Sequence, residues 1–311
     1  MGVLKPKALH RGDVIGIAAP ASPPGSEELL AKGIRYLERL GYRVELGSHI
    51  YHRHGYLAGS DDQRLADLHS LFANRKVKAI FTVRGGYGTM RILPRLDFAL
   101  IKRNPKIFVG YSDITALQLA MFKALRLVTF SGPMVAAEMA EGLRGESEEH
   151  FWRCLTSVSA PKKITIAARK KSVFSKGTAT GRILGGNLSM ISALVGSRYY
   201  PSPDDHLLLI EEVAERPYRI DRMFQQIART NFFRKAQGIL LGSFLGCEPV
   251  PNRPSLTMNE VFNDSFRDCA VPVMGGLQYG HQRNTMTMPL GIEATMNTGS
   301  GVLAFLEGGV S

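Results

Sequence analysis

Cysteine is scarce in this 311-residue chain, which has only Cys154, Cys247 and Cys269. Three widely separated cysteines offer neither a disulfide framework nor a CxxC metal half-site. The chain also lacks the run of about 18 apolar residues that a membrane-spanning helix needs, and the charged start MGVLKPK is not followed by the apolar stretch of a signal peptide. We therefore expect a protein of a reducing compartment, by default the cytoplasm, with no membrane partner.

Acidic residues are fewer than basic ones: the chain has 39 Lys and Arg but only 27 Asp and Glu, which gives a net charge of +12. The basic residues are scattered, and the densest run is residues 169–171. No basic stripe interleaved with aromatic residues, the pattern that stacks nucleic-acid bases, is present. We predict no nucleic-acid partner and interpret the charge as that of a basic surface.

The length favours two domains. The first half alternates short apolar runs with amphipathic segments, the pattern of a parallel α/β sheet. Helices are predicted after Ser26, and after Ser60, which forms a capping box with Gln63. A further helix is predicted around residues 117–125. The predicted strands are residues 14–18, 42–46, 77–83, 106–109 and 127–130.

The pattern changes after about residue 140, where polar and Lys-rich stretches are typical of a linker. We predict a first domain over residues 1–145, a linker over 146–178 and a β-rich second domain over 179–311. In the second domain, residues 220–227 have helical spacing. Its predicted strands are residues 181–184, 207–210, 238–241 and 271–274.

Ser112 is the first candidate for chemistry, because it stands where a buried strand turns sharply into a helix. In a nucleophile elbow such a serine is exposed at the sheet edge, and the next N–H, here that of Asp113, helps to hold an oxyanion. The motif G-x-S-x-G is incomplete, since Ile114 replaces its second glycine. Serine is also a favoured helix N-cap, so the local sequence leaves both interpretations open.

The glycine-rich stretch 85–88 (GGYG) follows the neighbouring strand. It fits neither a dinucleotide fingerprint, which would need glycine at Arg91, nor a P-loop. Ligands of open α/β sheets bind at the carboxyl ends of the strands, so this turn and Ser112 could border one crevice. The N–H of Gly86 could then point at an oxyanion, although a plain tight turn explains the letters equally well.

His281 follows a glycine-bearing loop after a predicted strand, a position that suits a general base. Glu211 and Glu212 end an apolar strand, and only one of them can face a given site. A carboxylate there would fix the tautomer of a catalytic imidazole, whereas a solvated pair is the alternative. His52 and His54 lack partners at ligand spacing, so no metal site is predicted.

Five stretches of the sequence resemble signatures of the LD-carboxypeptidase family (muramoyltetrapeptide carboxypeptidases) and of the related serine peptidases that confer immunity to peptide–nucleotide antibiotics. They occur in the family order and span most of the chain. The stretches are GDVIGIAAPASP at 12–23, RGGYG at 84–88, VGYSDIT at 109–115, EEVAERPYRIDR at 211–222 and PVMGGLQYGH at 272–281.

The resemblance implies a flavodoxin-like N-terminal domain and a smaller, β-rich, barrel-like C-terminal domain, with the active site between them. It implies a homodimer without metal or cofactor. It assigns Ser112 as the nucleophile and His281 as the base. The family usually has Glu-Asp after the apolar strand; this chain has Glu-Glu, and the alignment puts the catalytic carboxylate at Glu211.

The resemblance also implies a specific function. A serine carboxypeptidase would release the terminal D-alanine of murein tetrapeptides by hydrolysing an L,D-peptide bond. A carboxypeptidase must also recognise a free C-terminal carboxylate, which a guanidinium binds through two hydrogen bonds, and Arg84 is a candidate for this by position only. Two alternatives stay open: an immunity-type peptidase that cleaves peptide–nucleotide conjugates, and a homologue that binds peptides without cleaving them.

Overall fold

The computed structural model describes residues 2–311 and contains two β-sheets with helices packed around them. Apart from isolated bridges, the strands in chain order are β1 Val14–Ala18, β2 Arg43–Leu46, β3 Val77–Thr82, β4 Ile107–Val109, β5 Thr129–Ser131, β6 Ile164–Thr165, β7 Ser172–Ser175, β8 Thr178–Asn187, β9 His206–Val213, β10 Gly238–Leu245, β11 Val273–Gly275, β12 Met288–Leu290, β13 Glu293–Asn297 and β14 Val302–Phe305.

The helices of the described residues include both long amphipathic helices and single turns. They are α1 Glu27–Arg39, α2 Asp61–Ala73, α3 Thr89–Ile92, α4 Phe98–Arg103, α5 Thr115–Leu125, α6 Glu138–Glu141, α7 Gly145–Thr156, α8 Leu188–Leu194, α9 Pro217–Arg229, α10 Phe232–Lys235 and α11 Met258–Phe266. Two 3-10 turns, Leu93–Arg95 and Ser112–Ile114, precede α4 and α5.

The first sheet has the order β12-β5-β4-β3-β1-β2. Its strands β2-β1-β3-β4-β5 are mutually parallel, and this 2-1-3-4-5 order is that of flavodoxin-like folds. The predicted α/β fold is therefore confirmed. All five residues of β1 are buried, as expected for a parallel strand covered by helices on both faces.

Local sequence explains where the first helices begin. The Ser26 hydroxyl accepts a hydrogen bond from the N–H of Leu29 at 3.2 Å and caps α1. Ser60 and Gln63 form the predicted capping box at the start of α2. Each cap satisfies backbone N–H groups that the first turn of a helix leaves without partners.

The second sheet is mixed, with the order β6-β14-β13-β8-β9-β10-β11-β7. Strands β8 to β11 form a parallel centre, and the outer pairings are antiparallel. This agrees with the strand-rich second part that the sequence predicted. The carboxyl end of β9 carries Glu211 and Glu212.

One strand from the far end of the chain belongs to the first sheet. β12 pairs antiparallel with β5, with Met288 opposite Ser131. The chain therefore crosses from the second sheet back to the first before β13 begins. The domain boundaries remain a prediction, but the stretch 146–178 contains most of α7 together with β6 and β7 rather than an extended linker.

The helices of the second part close over an aromatic cluster. Phe224 of α9 is fully buried, and its ring centroid lies 5.4 Å from that of Phe266 and 6.0 Å from that of Phe233. No helix within residues 2–311 has the length and apolar character needed to cross a lipid bilayer.

Candidate active site

Ser112 begins the 3-10 turn that joins β4 to α5. Its φ of 65° lies in the left-handed region, which costs a residue with a side chain about 1–3 kcal/mol. Such strain is typical of the strand-to-helix turn that exposes a nucleophilic serine at a sheet edge. The side chain is half-buried.

The glycine-rich loop after β3 packs directly against Ser112. A Cβ added to Gly85 would lie 2.7 Å from the Cβ of Ser112 and 2.9 Å from its Oγ, so only glycine permits this approach. Gly86 has φ of 111°, and a Cβ there would meet Ser22 Oγ at 2.2 Å. The Ser22 hydroxyl in turn accepts a hydrogen bond from the Tyr87 N–H at 3.3 Å. The predicted neighbourhood of this loop and Ser112 is therefore present in the structure.

The Asp113 side chain is turned away from solvent and fixes the turn. Its carboxylate accepts a hydrogen bond from the Thr89 N–H at 2.9 Å, while the Thr89 hydroxyl donates to the Asp113 carbonyl at 2.7 Å. Burial raises the pKa of this carboxyl, and the hydrogen bonds from Thr89 oppose that effect. Within residues 2–311, the backbone N–H groups of Asp113 and Gly86 donate to no other residue, so both can serve an incoming oxyanion.

His281 is bound by Glu211 and not by Glu212. The distance from His281 Nδ1 to Glu211 Oε2 is 2.7 Å, and the His281 N–H also donates to this oxygen at 3.3 Å. Glu211 is fully buried. Burial acts to lower the pKa of His281, but the hydrogen bond and charge of Glu211, with smaller effects of Glu212 and Glu138, raise it overall.

Glu212 is also buried, but its carboxylate forms hydrogen bonds with other residues than His281. It accepts hydrogen bonds from Asn187 Nδ2 at 2.9 Å and from the Ser189 N–H and hydroxyl at 2.8 and 2.7 Å. Burial raises its pKa, although these donors act in the opposite direction. Adjacent strand positions thus separate the two carboxylates, as the alternation of a β-strand requires. The interpretation of a solvated pair was wrong for both.

A glycine brings the His281 loop close to the carboxylate. Gly280 has φ of 106°, and a Cβ there would lie 2.7 Å from both Glu211 Oε2 and Ser243 Oγ. The Gly280 N–H donates to Thr285 Oγ1 at 3.0 Å, which closes the loop on itself. The loop backbone therefore holds the imidazole against Glu211.

Tyr111 and Glu138 belong to the site, although the sequence did not single them out. The Tyr111 ring lies beside the His281 ring, with centroids 4.8 Å apart and planes inclined by 59°. The Tyr111 hydroxyl donates to Glu138 Oε1 at 2.5 Å, and the Met134 N–H donates to Glu138 Oε2 at 2.9 Å. Tyr111 stands next to Ser112 in the sequence, but no local signal marks Glu138.

The two sheets meet at this site. The Asn187 N–H, at the end of β8, donates to Thr115 Oγ1 in the first turn of α5 at 3.2 Å. Asn187 also reaches both glutamates through its amide, at 3.3 Å from Glu211 Oε1. No hydrogen bond joins Ser112 Oγ to His281 within residues 2–311, and in apo enzymes such contacts often tighten only when substrate binds.

Arg84 is exposed just beyond β3 and forms no ion pair within the described part of the chain. Among residues 2–311 no group of three or more His, Cys, Asp or Glu side chains is arranged to hold a metal ion. The site as a whole can supply a nucleophile, a carboxylate-bound imidazole and two backbone donors, a set typical of hydrolases.

Comparison with known proteins defines the family. Residues 15–132 match the LD-carboxypeptidase N-terminal domain, and residues 180–296 match the LD-carboxypeptidase C-terminal domain. The chain belongs to the LD-carboxypeptidase family, and the hydrolase class follows from that membership.

Three relatives illustrate the range of similar proteins. The probable murein peptide carboxypeptidase of Bacillus subtilis (strain 168) is 38% identical, with 99% of this chain and 95% of the relative covered. The crystal structure of muramoyltetrapeptide carboxypeptidase from Oxalobacter formigenes superposes with a TM-score of 0.83 at 29% identity, covering 95% of this chain and 98% of that one. The microcin C7 self-immunity protein MccF of Escherichia coli is 27% identical, with 93% of this chain and 90% of MccF covered.

Proposed function

We propose that this protein is a serine carboxypeptidase that releases the terminal D-alanine of murein tetrapeptides by hydrolysing an L,D-peptide bond. The observation that supports it most is the 2.7 Å contact of buried Glu211 with His281, at the sheet junction that also holds Ser112. Membership of the LD-carboxypeptidase family and the similarity to murein peptide carboxypeptidases supply the substrate class.

In the proposed mechanism, Ser112 Oγ attacks the scissile carbonyl carbon and its proton passes to His281 Nε2. The tetrahedral intermediate then loses the amine of the terminal residue, which takes the proton from His281. Water hydrolyses the resulting ester by the same two steps, with His281 again as base and acid. Glu211 holds the Nδ1 proton, which leaves Nε2 free to accept, and stabilises the imidazolium.

The oxyanion is proposed to lie between the N–H groups of Asp113 and Gly86. A donor of this kind contributes about 3 kcal/mol to transition-state stabilisation in comparable enzymes. The exposed Arg84 is proposed to bind one of the several carboxylates of a murein peptide. No metal or cofactor enters the proposal.

The test is mass spectrometry of a disaccharide tetrapeptide from murein incubated with wild type and with Ser112→Ala. Loss of one D-alanine with wild type alone supports the reaction and the nucleophile together. Loss with both proteins would keep the carboxypeptidase activity but remove Ser112 from its centre. No loss with either would overturn the proposal.

The 27% identity to a microcin C7 self-immunity protein supports a second candidate, cleavage of a peptide–nucleotide conjugate. Binding a nucleobase would call for an aromatic face free for stacking. The one tryptophan, Trp152, already stacks on Tyr42 at 5.0 Å between ring centroids, and its Nε1 donates to the Tyr36 hydroxyl at 2.8 Å. Trp152 is therefore not available to a nucleobase, and parallel assays on both substrates decide between the two candidates.

Two further features are proposed with the activity. A homodimer is proposed from the family resemblance, and light scattering at micromolar concentration tests it. A cytoplasmic location is proposed because Cys154, Cys247 and Cys269 are all free thiols. Fractionation of cells that express the tagged protein tests the location. A non-catalytic peptide-binding role would instead give no labelling of Ser112 by a serine-directed phosphonate.

A further inference from the structure

A cavity of about 620 Å³ is lined by residues 138, 141–144, 147 and 283–285, and it therefore adjoins the loop that follows His281. Two features connect it to the imidazole. Arg283 follows His281 by two residues, and Glu138 binds the tyrosine whose ring lies on the His281 ring. The residues of the cavity wall that carry the argument are Glu138, Glu141, Arg144, Ser147, Arg283 and Asn284.

The charges in this cavity are not equally available to a ligand. Both oxygens of Glu138 already accept hydrogen bonds, from the Tyr111 hydroxyl and the Met134 N–H. Glu141 is exposed at the wall. Arg144 and Arg283 are exposed and form no ion pair within residues 2–311, so their guanidinium groups are free to bind an anion. A guanidinium fits a carboxylate through two parallel hydrogen bonds.

The proposed chemistry places a carboxylate on this side. His281 must give its proton to the departing amine, so the terminal residue of the substrate lies next to the imidazole. The terminal carboxylate is separated from that amine nitrogen by only one carbon atom. It must therefore lie within a few ångströms of the imidazole, and Arg283 stands two residues beyond His281 in the loop that lines the cavity. Arg84 directly precedes the glycine-rich loop 85–88, which packs against Ser112.

We propose that Arg283, assisted by Arg144, binds the free carboxylate of the residue that is released, and so restricts the enzyme to the last bond of a peptide. This inference rests on the proposed function and names the group that makes the enzyme a carboxypeptidase. Arg84 is left to bind a carboxylate on the acyl side of the scissile bond.

The experiment compares kcat/KM for two tetrapeptides that differ only in their C-terminus, one a free acid and one an amide. Wild type should prefer the free acid. Arg283→Gln should lower kcat/KM for the free acid by about 10- to 100-fold, the usual effect of a lost charge-assisted hydrogen bond, and leave the amide nearly unchanged. Arg283→Lys should recover part of the preference because it keeps the charge. Arg144→Gln should cause a smaller loss in the same direction.

Arg84→Gln is the matched control, because it removes the same charge next to the glycine-rich loop that packs against Ser112, outside the lining of the cavity. It should lower kcat/KM for both substrates by the same factor. The inference is overturned if Arg84→Gln abolishes the preference for the free acid. It is also overturned if Arg283→Gln reduces kcat/KM for both substrates equally.

Binding of the same peptides to Ser112→Ala, measured by calorimetry, separates this inference from the proposed hydrolysis. A preference for the free acid that disappears with Arg283→Gln in that background supports the subsite even if wild type cleaves nothing. Cleavage by wild type with no effect of Arg283→Gln refutes the subsite alone. If wild type does not cleave the peptides and Ser112→Ala does not bind them, both the subsite and the proposed hydrolysis are refuted.

Discussion

Replacing Glu211 by glutamine tests whether this carboxylate, rather than its neighbour, acts on His281. The substitution keeps the shape of the side chain and removes its charge. Glutamine can also present its NH2 group to Nδ1, which would move the imidazole proton to Nε2 and leave no base for Ser112. We expect kcat to fall by roughly 10³- to 10⁴-fold, the loss seen when a triad carboxylate becomes an amide.

The pH profile should change as well. For charges about 4 Å apart at an effective dielectric constant of about 20, the attraction between Glu211 and an imidazolium is about 4 kcal/mol. Burial of His281 acts against this attraction, but the pKa of the imidazole is raised overall. The base works only when neutral, so its raised pKa places the acidic limb of kcat/KM above the usual histidine value of about 6.5. In Glu211→Gln the pKa of His281 falls, because the hydrogen bond and charge that raise it are removed, and the limb should move to lower pH.

The assay measures D-alanine release between about pH 5 and 9, which includes the range in which histidine titrates. Glu212→Gln is the control, because it removes the adjacent buried carboxylate, whose partners are Asn187 and Ser189. It should lower the melting temperature, since an amide cannot accept from all of these donors, yet move the limb much less than Glu211→Gln does, because Glu212 has only a smaller effect on the pKa of His281. If Glu212→Gln shifts the limb and Glu211→Gln does not, the assignment of the carboxylate is wrong.

Three other predictions follow from packing and exposure. Gly85→Ala should mainly reduce kcat, with a lesser effect on the free energy of unfolding, because the added Cβ would lie 2.7 Å from the Cβ of Ser112. A kcat within twofold of wild type would contradict this prediction. Phe224→Ala should lower the free energy of unfolding by about 3–5 kcal/mol in urea titration, and a loss under about 1 kcal/mol would mean that the aromatic cluster does not depend on this ring. Iodoacetamide should modify the partly exposed Cys269 before Cys154, whose pKa burial raises, and peptide mapping that finds Cys154 modified first would refute that order.

Much of the first sheet could be predicted from local sequence. The strand over residues 14–18 has the predicted bounds, and the others agree within a few residues, because apolar runs in a parallel sheet stand out against polar turns. The helix caps at Ser26 and Ser60 were also predictable, since each depends on a side chain three residues or fewer from its partner.

The missed elements have weaker local signals. α7 begins with the polar sequence GESEEH, which resembles a linker until its apolar face appears at Phe151 and Leu155. α11 carries a capping box between Thr257 and Glu260 that could have been noticed. β12 has only three residues and contains a proline, so its pairing with β5 depends on tertiary structure alone.

In the candidate site, too, some features could be predicted from local sequence and others depend on tertiary structure. Ser112, Glu211 and His281 were named from motifs, and the structure brings Glu211 and His281 into contact, while their catalytic roles stay a prediction. The orientation of Glu211 towards His281 depends on the register of β9 against β8 and β10, which no local pattern specifies. Glu138 reaches the site from the start of α6, and only the folded structure reveals its contact with Tyr111.

The return of β12 to the first sheet has a mechanical consequence. His281 is joined to this strand by the short loop 282–287, and β12 is bonded to β5, which neighbours β4, the strand that precedes Ser112. A short tether thus anchors the base to the sheet that carries the serine, and it restricts any hinge opening between the two halves. Lengthening the loop with a few glycines would slacken the tether while leaving every side chain of the site unchanged, so the spacing of serine and imidazole is controlled by chain length as well as by contacts.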